Sequence, residues 1–121
     1  MNVLLIEGNA AVRDSLQLIL EDMGHTVHWE CCTEVGLAFL RETTSTHVVI
    51  VSNQTPYNLA LAAFFQKIIA DPALKHAHRY VALTTSPATL TPEALVALQT
   101  LHATLICKPF NIEELLATVI D

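Results

Sequence analysis

Two kinds of hydrophobic pattern alternate along this chain. Val48-Val49-Ile50-Val51 is apolar on both faces, as in a central strand of a parallel sheet that helices cover on both sides. Val3-Leu4-Leu5-Ile6 is a second such run and predicts strand one. Between them Val12, Leu16, Ile19, Leu20 and Met23 recur at helical spacing, with Arg13, Asp14, Gln17, Glu21 and Asp22 on the other face. Asn9 is placed to cap this helix and Gly24 to close it. Thr26-Val27-His28-Trp29 is shorter and more polar, which suits a sheet edge, and Thr33 is placed to cap a second helix over residues 34–42.

Beyond Pro56 the helical period returns. Leu61, Phe64, Phe65 and Ile68 mark one face of a third helix, ended by Asp71-Pro72. Neighbouring side chains on a helix point about 100° apart, so Phe64 and Phe65 are not both expected deep in the core. Tyr80 to Thr84 predicts strand four, and Thr91-Pro92-Glu93 opens a fourth helix. Its buried stripe reads Ala94, Leu95, Ala97, Leu98 and Leu101, with Val96 opposite. Thr104 to Cys107 is strand five, and Asn111 with Glu114 forms a capping box for a fifth helix. Strand and helix alternate five times, which with right-handed crossovers predicts one doubly wound α/β domain over residues 1–121.

Composition narrows the function. Only 15% of residues are charged, 52% are hydrophobic, and the net charge is −6. Nucleic-acid phosphates call for a basic patch, and the six lysines and arginines are scattered singly. No apolar run approaches the roughly eighteen residues of a membrane span, and the N-terminus lacks the basic start of a signal peptide. Three cysteines without CxxC spacing fit a reducing cytoplasm better than a disulfide scaffold. Cys31-Cys32 offers redox or metal chemistry on paper, but small residues at a strand-to-helix turn explain it more simply. His76 and His78 lack a third ligand in the sequence and read as an exposed loop pair.

In open α/β sheets ligands bind beyond the carboxyl ends of the strands, so Ser52, closing the central strand, stands where chemistry is expected. As a nucleophile it has no GxSxG elbow, and His47 lies at the far end of the same strand.

With the elements placed, the whole chain resembles the receiver domain of two-component response regulators. Four segments carry the likeness: Val3-Leu4-Leu5-Ile6-Glu7-Gly8-Asn9, Val48-Val49-Ile50-Val51-Ser52 with Pro56 four residues on, Ala82-Leu83-Thr84, and Lys108-Pro109-Phe110. The resemblance implies a five-stranded parallel sheet in the order 2-1-3-4-5. It implies phosphoryl transfer from a histidine kinase to an aspartate, with Mg²⁺ held by acids after strand one. Ser52 occupies the phospho-acceptor position, and Glu7 and Gly8 the two acidic positions, so one carboxylate remains. Thr84 and Lys108 match the hydroxyl switch and the phosphate-binding lysine, Leu105 the switch aromatic, and Pro109 the cis-type proline.

These departures predict a degenerate receiver: not an enzyme, with weak or no Mg²⁺ binding, in which Glu7 pairs with Lys108. Its expected role is a phosphorylation-independent protein-interaction module of a signalling pathway. The alternative is a phosphorelay domain working through a non-aspartate acceptor. The implied surface for a protein partner or homodimer is the fourth helix, strand five and the fifth helix, with Leu90, Val96, Leu116 and Ile120 at the interface. Asp121 falls where such families begin a linker to an output domain, which fits a domain cut from a longer chain.

Overall fold

A computed structural model describes residues 1–52, 59–84, 90–107 and 112–120. The elements follow in the order β1 (Asn2–Ile6), α1 (Ala10–Asp22), β2 (Thr26–Glu30), α2 (Thr33–Glu42), β3 (Val48–Ser52), α3 (Leu59–Ala70), α4 (Pro72–Ala77), β4 (Arg79–Thr84), α5 (Pro92–Thr100), β5 (Thr104–Cys107) and α6 (Ile112–Ile120). All five strands are parallel and lie in the order β2-β1-β3-β4-β5, as the resemblance implies. β2 is the edge strand that its polarity suggested.

Alternation along the strands divides the core between the two faces of the sheet. Leu4 and Ile6 of β1 and Val49 and Val51 of β3 pack with Leu37, Leu40, Leu61, Phe64, Phe65 and Leu98 from α2, α3 and α5. Val3, Leu5, Val48 and Ile50 point the other way, against Leu16, Leu20 and Leu115 of α1 and α6. Such strands are buried on both sides, which is why they read as unbroken apolar runs.

Several expectations are corrected. A short extra helix, α4, follows α3 directly, because Asp71 caps it through the Ala73 N–H (3.1 Å) and Pro72 takes its first turn. Phe64 and Phe65 are both buried, at 2% and 0% exposure. α3 is wrapped by the sheet and by α2, α4 and α5, so its apolar face is wider than one stripe. The α2 cap is Cys32 rather than Thr33, and its side chain makes no capping hydrogen bond. Met23, at the α1 cap, is exposed, as is Leu95 on α5. Asn9, Gly24 (φ +92°) and Thr91 take their expected positions.

α2 approaches β1 closely at Gly36. A Cβ there would stand 2.9 Å from Cγ1 of Ile6 and nearer still to its Cδ1, so only glycine fits without displacing the core.

Candidate functional site

The strand order reverses between β1 and β3, since the chain leaves β1 toward β2 and then returns to build β3, β4 and β5 on the other side. A crevice at such a switch point is where open α/β sheets hold ligands. The registers Ile6–Val51 and Ser52–Leu83 bring three buried polar residues to that carboxyl edge on neighbouring strands: Glu7, Ser52 and Thr84.

Each is positioned by the backbone. Glu7 continues β1, and its N–H donates to the Glu30 carbonyl of β2 (3.1 Å). Its Oε1 accepts the Asn9 N–H (3.1 Å), while Asn9 Oδ1 accepts from Ala11 and Val12 (3.0 and 3.1 Å). The carboxylate is thereby tied to the positive N-terminus of α1. Gly8 is exposed and offers only backbone groups. Leu105 lies half-buried on β5 opposite Ala82 and packs against the α3–α5 side of the core. Lys108 and Pro109 lie outside the described residues, so the expected Glu7–Lys108 pair does too. Among the described residues, Glu7, Ser52 and Thr84 bring one carboxylate and two hydroxyls to this edge. Among the described residues no three His, Cys, Asp or Glu side chains gather as for a metal ion.

Of the three cysteines, Cys107 ends β5 in register with Thr84. Cys31 and Cys107 are exposed, Cys32 is half-buried, and all three are free thiols.

At the amino-terminal edge of the sheet lies an arrangement the sequence did not announce. His76 is exposed at the end of α4, but His78 is buried, which corrects the expected loop pair. His47 is buried beside it, and the His47 N–H donates to Nδ1 of His78 (3.0 Å). Burial, and then the neighbouring His47, hold the His78 imidazole below its ordinary pKa. Tyr80 follows, its hydroxyl donating to the Leu74 carbonyl (2.8 Å). Burial, and then Asp71, push the Tyr80 phenol well above its usual range, so it stays neutral. The sequence-level signal was faint: a polar residue immediately before each of two apolar strands.

On the surface, Val96 is 61% exposed beside a groove of about 460 Å³ between α3 and α5, lined by Gln66, Ile69, Glu93, Ala97 and Thr100. Leu90 is only 7% exposed and belongs to the core, which removes it from the expected interface. Leu116 is half-buried against the α1–α6 side of the core. The side chain of Ile120 lies outside the described residues. No helix among the described residues is long and apolar enough to cross a membrane.

No family model matches the chain, and no curated protein matches it. Solved structures do. A receiver-domain protein of Methanospirillum hungatei JF-1 superposes with a TM-score of 0.79 at 22% identity, over 98% of this chain and 90% of that one. The chemotaxis protein CheY4 of Vibrio cholerae gives 0.76 at 24% identity, over 98% and 95%. The receiver domain of the sensor histidine kinase PA1611 of Pseudomonas aeruginosa PAO1, solved with a magnesium ion coordinated in its active-site cleft, gives 0.75 at 18% identity, over 98% and 93%. At these identities the likeness is one of architecture: this chain has the fold of CheY-like receiver domains.

Proposed function

We propose that this chain is a degenerate receiver domain that works as a phosphorylation-independent, non-enzymatic interaction module in signal transduction. The observation that carries the reading is Ser52 at the end of β3, at the switch point where the resemblance places the acceptor aspartate. A serine hydroxyl cannot form an acyl phosphate; it gives a phosphate ester, without the lability that lets a receiver reset. Gly8 supplies no second carboxylate, and Glu7 is already tied to the turn before α1. Mg²⁺ favours near-octahedral oxygen ligands with carboxylates among them, so Glu7 and two hydroxyls do not suit it. No step of the proposed function passes through a metal. The setting is the cytoplasm, without nucleic acid or membrane as partner.

Incubation with acetyl phosphate and Mg²⁺ is expected to leave the mass unchanged. A phosphate adduct on any residue of the carboxyl edge would overturn the reading in favour of a phosphorelay through another acceptor. Restoring acids with Gly8→Asp and Ser52→Asp together should introduce Mg²⁺ binding, measurable by calorimetry, and should lower stability without metal, because three carboxylates then converge.

In the absence of a chemical switch, regulation falls to the surface, by a protein partner or a second copy. The face we favour joins α5, β5 and α6, with the exposed Val96 of α5 at its border with the α3–α5 groove and Leu116 contributing from α6. Val96→Glu should weaken that contact by burying an unpaired charge, while leaving the fold intact, since the side chain faces solvent. Sedimentation of parent and variant over a concentration series, together with partner pull-down, checks it. A monomeric parent with unchanged partners in the variant removes this face.

A further inference from the structure

β3 and β4 begin side by side, and their first rungs are held by an unusual contact. The Arg79 N–H donates to the His47 carbonyl (3.1 Å), an ordinary ladder bond. The His47 N–H, however, donates to a side chain, Nδ1 of His78 (3.0 Å). A ring nitrogen that accepts is unprotonated, so His78 must be neutral with its proton on Nε2. His47 is fixed in turn: its Nδ1 lies 2.8 Å from the Ser45 carbonyl, which can only accept, so Nδ1 carries the proton. Both histidines are buried, at 6% and 8% exposure of the whole residue. Their rings meet edge-on at 5.8 Å, between Phe39 on one side and Tyr80 on the other.

We infer that His47 and His78 form an acid-sensitive latch that closes the amino-terminal edge of the sheet and opens when His78 gains a proton. Protonation at Nδ1 turns the acceptor into a donor facing the His47 N–H, so the bond is lost and two like partial charges meet. The corner beyond is built on this contact. His78 caps α4, whose Leu74 is buried and bonded to Tyr80, and it lines a cleft with Thr43 to Thr46 of the α2–β3 loop. Release of His78 therefore loosens α4 and that loop together, at the end of the molecule opposite the Ser52 crevice.

The surrounding charges set the direction. From α2, Arg41 lines the same cleft and disfavours a second cation. Asp71 lines it too and favours one, but its carboxylate accepts the Ala73 N–H. Lys75 of α4 and Arg79 of β4 add positive charge nearby, the His76 imidazole stands exposed on α4, the His47 ring donates from Nδ1 to Ser45, and the Tyr80 hydroxyl is uncharged. Beyond Phe39, the stacked ring of His28 is bound to Glu30 (2.8 Å) and is not in contact with His78. The balance keeps His78 neutral at neutral pH and lets it charge only in acid. This inference does not depend on the fate of Ser52.

The test is amide exchange and imidazole titration by NMR on the intact chain between about pH 7.5 and 5. Corrected for intrinsic rates, protection of the His47 amide should fall by about tenfold or more as His78 titrates, while the Leu4 and Leu5 amides of β1 keep theirs. His78→Asn supplies an acceptor oxygen at the Nδ1 position that does not titrate, so the loss should vanish. A His47 amide whose protection does not vary with pH, or an identical loss in His78→Asn, overturns the latch. Should that variant not fold, the His78 ring resonances of the parent decide: a titration at or above the ordinary histidine value also overturns it.

Discussion

Tyr80 shows how one hydroxyl ties a helix to the sheet. Tyr80→Phe removes the bond to the Leu74 carbonyl without changing shape, and should cost about 1 kcal/mol by urea denaturation. Gly36 is the opposite case, a residue needed for what it lacks. Gly36→Val would drive its side chain into Ile6 and should cost roughly 1–3 kcal/mol by the same measurement, despite the poor helix propensity of glycine. Single residues were unevenly legible. Ser52 could be placed from the sequence because a β-branched run that stops abruptly marks a strand end. His78 could not: it reads with His76 as a loop pair, and its partner is thirty-one positions away.

At the level of elements, strands were the easiest to read, since runs apolar on both faces have few other uses. Every predicted strand is present, extended by one residue where the flank is polar, as at Asn2, Glu30 and Arg79. Helix α4 was hidden because Asp71-Pro72 is ambiguous. Proline ends the helix before it, yet the same pair is a good cap and first turn for the next one. Phe64 and Phe65 misled for a related reason, as periodicity assumes one packed face and α3 has several neighbours. Caps carry measurable weight here. Asn9→Ala deletes the acceptor for Ala11 and Val12 and should lower stability by about 1 kcal/mol. Because Glu7 leans on the same turn, that variant should also loosen the crevice, visible as faster exchange at residues 8–12.

For the molecule as a whole, His78 links stability to acidity. Its folded pKa lies below the unfolded one, so between the two the unfolded chain binds more protons and stability falls as pH drops. The contribution is complete above about pH 6.5, the ordinary histidine value, and declines below it. Urea midpoints of the parent should therefore drop more steeply below that pH than those of His78→Asn. The sheet order was legible only through family resemblance, because apolar runs reveal which segments are strands but not which of them pair. That order has a consequence for how the chain is made. β1 leaves the ribosome first yet sits between β2 and β3, so it waits through α1 and α2 for its second neighbour. Once β3 has docked, its far edge, the stickiest run in the chain, stays bare until residues 79–84 have been synthesised. Each parallel pairing needs a crossover, so this exposure cannot be shortened by a hairpin. Ribosome pausing between β3 and β4 should thus promote aggregation, whereas pausing after β4 should not.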